Sequence, residues 1–344
     1  MFAVPVVDIS SYLDGGRPDA EREQVAREVD AACSTVGFVQ IVGHGIEPAL
    51  VDDLATALDA FYALPLDVKK SYARPGENRG YSPPRSESLS MSLGVPTANQ
   101  MNDFYEAFTV GSERSWFPRH VLPEQSYPEN TWPEGVPGFR PAVEAWFTAA
   151  RTVSRALLTA CGDALGLPRG YFDALIDHSI DALKMNNYTL PEGEIDLAAE
   201  LTGMGAHTDF GILTVLWADQ VPGLQILDQD GAWHDVRPAD GALLVNLGDA
   251  MARWTNDRWL STVHRVNPPV VDGRILRRRS AAFFFDGNYD AVIETLPGHS
   301  SADRPGYPPI TIAENINAKL AGMKSGVAPS GTTEREARRV LAAQ

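Results

Sequence analysis

Two histidines and an aspartate carry the strongest chemical signal in this chain. The segment MGAHTDFGILTVLW, residues 204–217, sets His207 and Asp209 two positions apart at the mouth of an apolar, β-branched run. Side chains at i and i+2 of a strand project from one face, so this imidazole and carboxylate can address a single metal ion. Alone, the pair also reads as a turn or cap before a strand. The run STVHRVN supplies His264 in a second β-branched stretch. Two imidazoles and a carboxylate that leave other coordination positions open are the facial triad of non-haem Fe(II) chemistry. The competing reading of His264 is a satisfied core histidine. His44, His120, His178, His234 and His299 have no carboxylate at strand spacing and read as structural or surface residues.

A second signal lies in RILRRRSAAFFFDGN, residues 274–288, where Arg278 and Ser280 share one face of an apolar strand. An inward guanidinium beside a hydroxyl binds a carboxylate through charge-assisted hydrogen bonds. Arg274 and Arg277 read as solvated. The fragment LKMNNYTL puts Lys184, Asn186 and Tyr188 on a common face, which suits either a solvent-facing strand edge or the wall of a polar cosubstrate site.

The surrounding elements must position these groups. The 344 residues are 44% hydrophobic and 22% charged, an ordinary globular composition. A net charge of −16 disfavours nucleic-acid phosphates and acidic membrane surfaces, which leaves a small-molecule partner. Cys33 and Cys161 are too few for a disulfide framework, and no window approaches the length of a membrane span. A cytoplasmic protein, monomeric or weakly homo-oligomeric, is expected. The N-terminal half reads as strand (3–9), helix from Asp19, strand (37–46) and helix (48–63), followed by Gly/Pro-rich loops and a long excursion over 112–138. The stripe Val143, Trp146, Phe147, Ala150, Val153, Leu157, Cys161 and Leu165 predicts a long helix over 139–165 that covers a sheet. From 181 to 290 short strand-like runs alternate with Gly, Pro, Asp and Asn. They predict a jelly-roll core within a mainly β, α+β fold with flanking helices. The tail reads as helix from Ile310 to Met323 and again from Thr332 to Ala343. The expected division is 1–180 as an N-terminal region contributing a substrate lid, 181–290 as the core, and 291–344 as a helical tail.

Taken together, Lys184-x-Asn186-x-Tyr188, His207-x-Asp209, His264 and Arg278-x-Ser280 resemble the Fe(II)/2-oxoglutarate-dependent dioxygenases of the isopenicillin N synthase-like type. VPVVDIS, GFVQIVGHGI and the stretch from GLQILDQDGAWHDV to TND extend the resemblance over nearly the whole chain. It implies a double-stranded β-helix and His207, Asp209 and His264 as iron ligands. It further implies Arg278 and Ser280 on the distal carboxylate of 2-oxoglutarate, with Asn186 and Tyr188 beside it. The implied reaction oxidises a substrate C–H bond with dioxygen and releases succinate and carbon dioxide, with ascorbate as a candidate reductant. Asp209 stands where halogenating relatives carry a small residue, so oxygenation or a related oxidation is favoured. The interval from His264 to Arg278 is longer than the family's, which predicts an enlarged turn at NPPVVDGRIL. Lys184 stands where many members have arginine; a buried ammonium needs an anion or a carbonyl, which predicts an acidic or strongly polar oxygen on the substrate. Tyr81, Phe104, Tyr105, Trp116 and Phe284 or Phe285 are further substrate candidates. The competing functions are an oxidase that does not use 2-oxoglutarate, a zinc hydrolase, for which no HExxH helix is present, and a non-catalytic jelly-roll binding module.

Overall fold

The computed structural model describes residues 2–14, 19–95, 103–189, 203–268, 270–271, 274–325 and 340–342. Among the described residues the strands up to residue 285 are, in chain order, β1 (Val6–Asp8), β2 (Phe38–Val42), β3 (Gly80–Ser82), β4 (Glu106–Gly111), β5 (Ala182–Tyr188), β6 (Met204–His207), β7 (Leu213–Ala218), β8 (Leu224–Leu227), β9 (Trp233–Asp235), β10 (Leu243–Leu247), β11 (His264–Val266), β12 (Val270–Val271), β13 (Arg274–Ile275) and β14 (Arg278–Phe285). Eight of them form one sheet in the order β1-β2-β10-β7-β14-β5-β4-β3, and four form a second in the order β6-β11-β8-β9. The crossovers β2-β10-β7-β14-β5 in the large sheet and β6-β11-β8 in the small one mark the jelly roll expected from the spacing of the short runs.

The helical stripe behaves as its periodicity requires. Gly138, at φ +83°, precedes a helix over Phe139–Ala164 whose Trp146, Ala150 and Val143 are fully buried. It packs with the helices Asp19–Thr35 and Pro48–Tyr62 against the large sheet, and Phe147 meets Phe283 of β14 edge-on. Each fully buried apolar side chain of this layer contributes about 1.5–3 kcal/mol. A smaller apolar cluster, with Phe38, Leu244, Leu224, Ile226 and Met204, lies between the two sheets and walls the site.

Some segments depart from the sequence reading. The interval before Arg278 is a two-stranded ribbon, β12 paired with β13, so the extra residues are folded onto themselves rather than left as a loop. Residues Lys184 to Tyr188 are no sheet edge: β5 runs between β4 and β14 and is buried on both faces. The tail forms a helix over Ile312–Ser325; the helix expected from Thr332 lies outside the described residues except for 340–342, which are helical. No helix among the described residues is long and apolar enough to cross a membrane.

Candidate active site

His207 ends β6 and His264 opens β11, and the antiparallel pairing of these strands sets the two histidines opposite each other with ring centroids 4.3 Å apart. Asp209 follows in the turn before β7. Its Oδ1 is 3.8 Å from His207 Nε2 and 3.9 Å from His264 Nε2, and all three side chains are buried. Every other polar atom of the trio is committed. His207 Nδ1 meets the Gly205 carbonyl at 2.7 Å and His264 Nδ1 the Thr262 carbonyl at 3.1 Å. A carbonyl oxygen only accepts, so each Nδ1 carries the hydrogen and each Nε2 presents a lone pair. Asp209 Oδ2 accepts from Thr214 Oγ1 at 2.5 Å and Asn246 Nδ2 at 2.6 Å, which leaves Oδ1 facing the imidazoles. Burial, aided by the neighbouring His264, pushes His207 down to about 3 and keeps it neutral. Burial works against ionisation of Asp209, but the two histidines and the hydrogen bonds from Asn246 and Thr214 outweigh it and hold the carboxyl below its usual range. Two imidazoles and one carboxylate, each fixed by a partner behind it, are the donor set that suits Fe(II).

The arginine run divides by face. Arg277 donates to Asn187 Oδ1 at 2.7 Å and to Asp59, and Arg279 bonds Asp219 and the Ala55 carbonyl. Arg278 turns inward, is 2% exposed, and leaves Nε and Nη1 without a hydrogen-bond partner. The β14–β5 register sets Arg278 opposite Tyr188 and Ser280 opposite Asn186. The guanidinium carbon lies 5.2 Å from the Tyr188 ring centre, Asn186 donates to Ser280 Oγ at 3.3 Å, and Asn186 Oδ1 is also unpartnered. Burial pushes Tyr188 up to about 12, so its hydroxyl keeps its hydrogen. Burial lowers Arg278 as well, and the adjacent Tyr188 works against that loss. A buried cation with two idle N–H groups is expensive unless an anion completes it. These orphaned donors fit the far carboxylate of a dicarboxylate cosubstrate.

Lys184 shares this face and lines the cavity, but its ammonium already has partners: it bonds Glu87 and lies 3.0 Å from Tyr105 Oη. The anion that a buried lysine demands is therefore supplied by the protein, and the argument from Lys184 to an acidic substrate loses its premise. Tyr105 Oη also donates to Glu87, at 2.5 Å. Tyr81 donates to Glu106 at 2.6 Å and packs in the main core, away from the cavity lining. Phe104 and Phe285 are buried but do not line the cavity, and Trp116 packs on Phe147 at the surface. Phe284 does line it.

The sequence reading passed over three contributors. Thr214 and Asn246 fix Asp209 from β7 and β10. The helix Ile312–Ser325 brings Ile316, Leu320 and Met323, four and three positions apart, onto the cavity. That helix is anchored beside His207 and Asp209, since Asn315 donates to the Phe210 carbonyl at 2.8 Å and Lys319 bonds Asp249. The third is Asp286, treated below. The cavity itself, about 110 Å³, shares Asn78, Ala182, Asp286, Ile316 and Leu320 with an adjoining vestibule of about 670 Å³.

A jelly roll with a His-x-Asp…His trio beside a buried, anion-seeking arginine defines the class of non-haem Fe(II), 2-oxoglutarate-dependent oxygenases. Comparison with known proteins agrees. Residues 180–287 match the 2OG-Fe(II) oxygenase superfamily, and residues 4–135 match the family described as non-haem dioxygenase in morphine synthesis N-terminal. The chain is 34% identical over 323 residues to the 2-oxoglutarate-Fe(II) type oxidoreductase hxnY of Emericella nidulans, covering 91% of this chain and 88% of that one. It is 35% identical over 303 residues to the 2-oxoglutarate-dependent dioxygenase citB of Monascus ruber, covering 86% and 88%. Among solved structures, a Neurospora crassa protein in complex with alpha-KG (2-oxoglutarate) and thymine superposes with a TM-score of 0.79 at 26% identity, covering 92% of this chain and 96% of that one. The chain belongs to the 2OG-Fe(II) oxygenase superfamily. It is a non-haem Fe(II)- and 2-oxoglutarate-dependent dioxygenase that acts on a small molecule; the oxidase that dispenses with 2-oxoglutarate is not favoured.

Proposed function

We propose that His207, Asp209 and His264 hold the Fe(II), that Arg278 and Ser280 grip the far carboxylate of 2-oxoglutarate, and that Asn186 and Tyr188 lie along it. When bound, the iron supplies the dioxygen chemistry that couples conversion of 2-oxoglutarate to succinate and carbon dioxide with oxidation of a substrate C–H bond. The protein does the positioning. Thr262 and Gly205 hold the imidazoles in one tautomer through their carbonyls, and Asn246 and Thr214 hold the carboxylate. Phe38, Leu216, Leu224 and Val266 present apolar walls that limit water around them. Lys184 braces Glu87 and Tyr105 at the cavity wall, and Phe284 contacts the substrate; Tyr81, Phe104 and Tyr105 act by supporting that wall.

The observation that carries this reading is the pattern of idle atoms: Nε2 of each histidine, one oxygen on Asp209 and Nε and Nη1 of Arg278 remain unused on the cavity. The substrate is a small organic molecule, of the order of size of the thymine bound by the Neurospora relative. It enters through the vestibule beneath the Ile312–Ser325 helix. Residues 1–180 form the N-terminal region that contributes the lid, 181–290 the catalytic core, and 291–344 a helical tail whose helix Ile312–Ser325 lines the vestibule. Buried, unpaired Cys33 and Cys161 support a reducing, cytoplasmic location, and a monomer or weak homo-oligomer suffices for the site.

Succinate formation by the Fe(II)-loaded protein tests the assignment. It should require 2-oxoglutarate and disappear in Asp209→Ala. Succinate release at the wild-type rate in that variant would remove Asp209 from the iron.

A further inference from the structure

The inward face of β14 continues past the residues already assigned. Arg278, Ser280, Ala282, Phe284 and Asp286 alternate along it, and all five line the cavity. Asp286 is 9% exposed and is the acidic residue lining both the cavity and the vestibule, together with Asn78, Ala182, Ile316 and Leu320. Its backbone N–H is used, donating to Asp181 Oδ1 at 3.2 Å. Its carboxylate has neither a hydrogen bond nor an ion pair among the described residues. Arg79, the cation that acts on it, donates from Nη1 and Nη2 to the carbonyls of Asn78 and Ser112, leaves Nε unpartnered and makes no ion pair with Asp286 among the described residues. Asp181 is engaged elsewhere, by Arg151 at 2.8 Å.

The fold makes room for this carboxylate. Gly211, two residues after Asp209, lies under it, and a Cβ at that position would fall 1.8 Å from Asp286 Oδ1. Only glycine there lets the carboxylate reach the junction of cavity and vestibule. Burial, then Asp181 and Asp209, push Asp286 well above the usual carboxylate range, so an unpaired carboxylate costs stability at this place. The vestibule beyond it adds Glu77, Glu124 and Glu129 against Arg74 and Arg79.

We infer that Asp286 is the substrate-recognition group of this oxygenase and that it selects a substrate bearing a basic nitrogen, whose N–H it accepts at the inner end of the vestibule. The inference rests on the dioxygenase reading and extends it to a substrate class. The cationic N–H meets an inward carboxylate that has no partner among the described residues, while Phe210 and Phe284 line the same cavity and contact the apolar part of the molecule.

Three compounds of one shape test this: benzylamine, benzyl alcohol and toluene, titrated without oxygen into the enzyme loaded with Fe(II) and 2-oxoglutarate. A charge-assisted hydrogen bond predicts that benzylamine binds about tenfold or more tightly than benzyl alcohol. That preference should vanish in Asp286→Asn and in Asp286→Ser, two variants run in parallel so that a folding defect in one leaves the other to decide. Equal binding of amine and alcohol by the wild type, or an amine preference that survives both substitutions, would overturn the inference. Binding of 2-oxoglutarate, followed in the same wild-type samples, separates the two levels: its presence with no amine preference defeats the role of Asp286 alone, and its absence defeats the dioxygenase reading.

Discussion

Among the described residues two groups of two histidines and an aspartate bring ligand atoms within 4.8 Å of one another, and they differ in burial and in where their hydrogen bonds go. In the outer group, His178 places Nδ1 2.5 Å from Asp177 and Nε2 3.0 Å from Asp290, so both of its nitrogens already face carboxylates. Asp177 is half exposed and accepts from Asn288 as well. Burial would raise the Asp177 carboxyl, but Asn288 and His178 outweigh it and hold it below its ordinary range. In the inner group the histidines turn Nδ1 to backbone carbonyls and the aspartate turns one oxygen to Thr214 and Asn246, which frees three atoms that converge. Composition is the same in both; what differs is where the hydrogen bonds go. A metal site is recognised by the lone pairs its neighbours leave unspent.

The comparison breaks at once if the groups behave alike. His207→Ala or His264→Ala should lose the iron and drop turnover to background, whereas His178→Ala should retain one iron per chain and turn over as the wild type does. Metal analysis of the purified variants, paired with succinate release, decides it.

The same logic sorts the buried cations. Lys184 is spent and Arg278 is not, so the two should fail in different ways. Lys184→Met removes the ammonium from buried Glu87 and should cost about 3–5 kcal/mol of stability, recovered in large part by adding Glu87→Gln. Denaturant melts of the single and double variants measure this, and an additive double variant would contradict the pairing. Arg278→Ala should instead weaken 2-oxoglutarate by roughly ten- to a hundredfold, while Arg279→Ala, whose partner is Asp219, leaves that affinity within about twofold.

A finer test concerns the atoms behind the ligands. Asn246→Leu removes a donor from Asp209 Oδ2 and should lower iron affinity by about ten- to a hundredfold without unfolding the chain. Competition with a chelator reads this directly.

The smallest effect is one of pH. The native carboxyl of Asp286 is raised above its unfolded value of about 3.9, so the folded chain holds a proton that the unfolded chain releases, and stability falls as pH rises from about 4 toward the raised value. Asp286→Asn lacks this loss. Its melting temperature should match the wild type near pH 4 and exceed it by a few degrees at pH 7. A gap that is independent of pH would mean that Asp286 is already compensated.

Much of this was legible in the residues because it is carried by strand alternation. His207 with Asp209, Arg278 with Ser280, and Lys184 with Asn186 and Tyr188 each follow from a period of two, and the long helix follows from the stripe through Trp146. What was not legible depends on partners distant in the chain. Glu87 reaches Lys184 across 97 positions, from a segment that reads as loop, so the lysine looked unsatisfied when it was not. Asn246 reaches Asp209 across 37 positions, with nothing local to announce it. Asp286 could have been found, since it continues the alternation Arg278, Ser280, Ala282, Phe284 by one step; the apolar FFF run drew the reading to the rings instead.

A crystal structure of the wild-type protein, soaked with Fe(II) and 2-oxoglutarate under nitrogen and recorded at the iron edge, tests the central claim most directly. The account predicts one anomalous peak bonded to His207 Nε2, His264 Nε2 and Asp209 Oδ1, with the far carboxylate of 2-oxoglutarate on Arg278 Nε and Nη1. Iron at His120, Asp177 and His178 instead, or a cosubstrate carboxylate that leaves Arg278 unpaired, would contradict it.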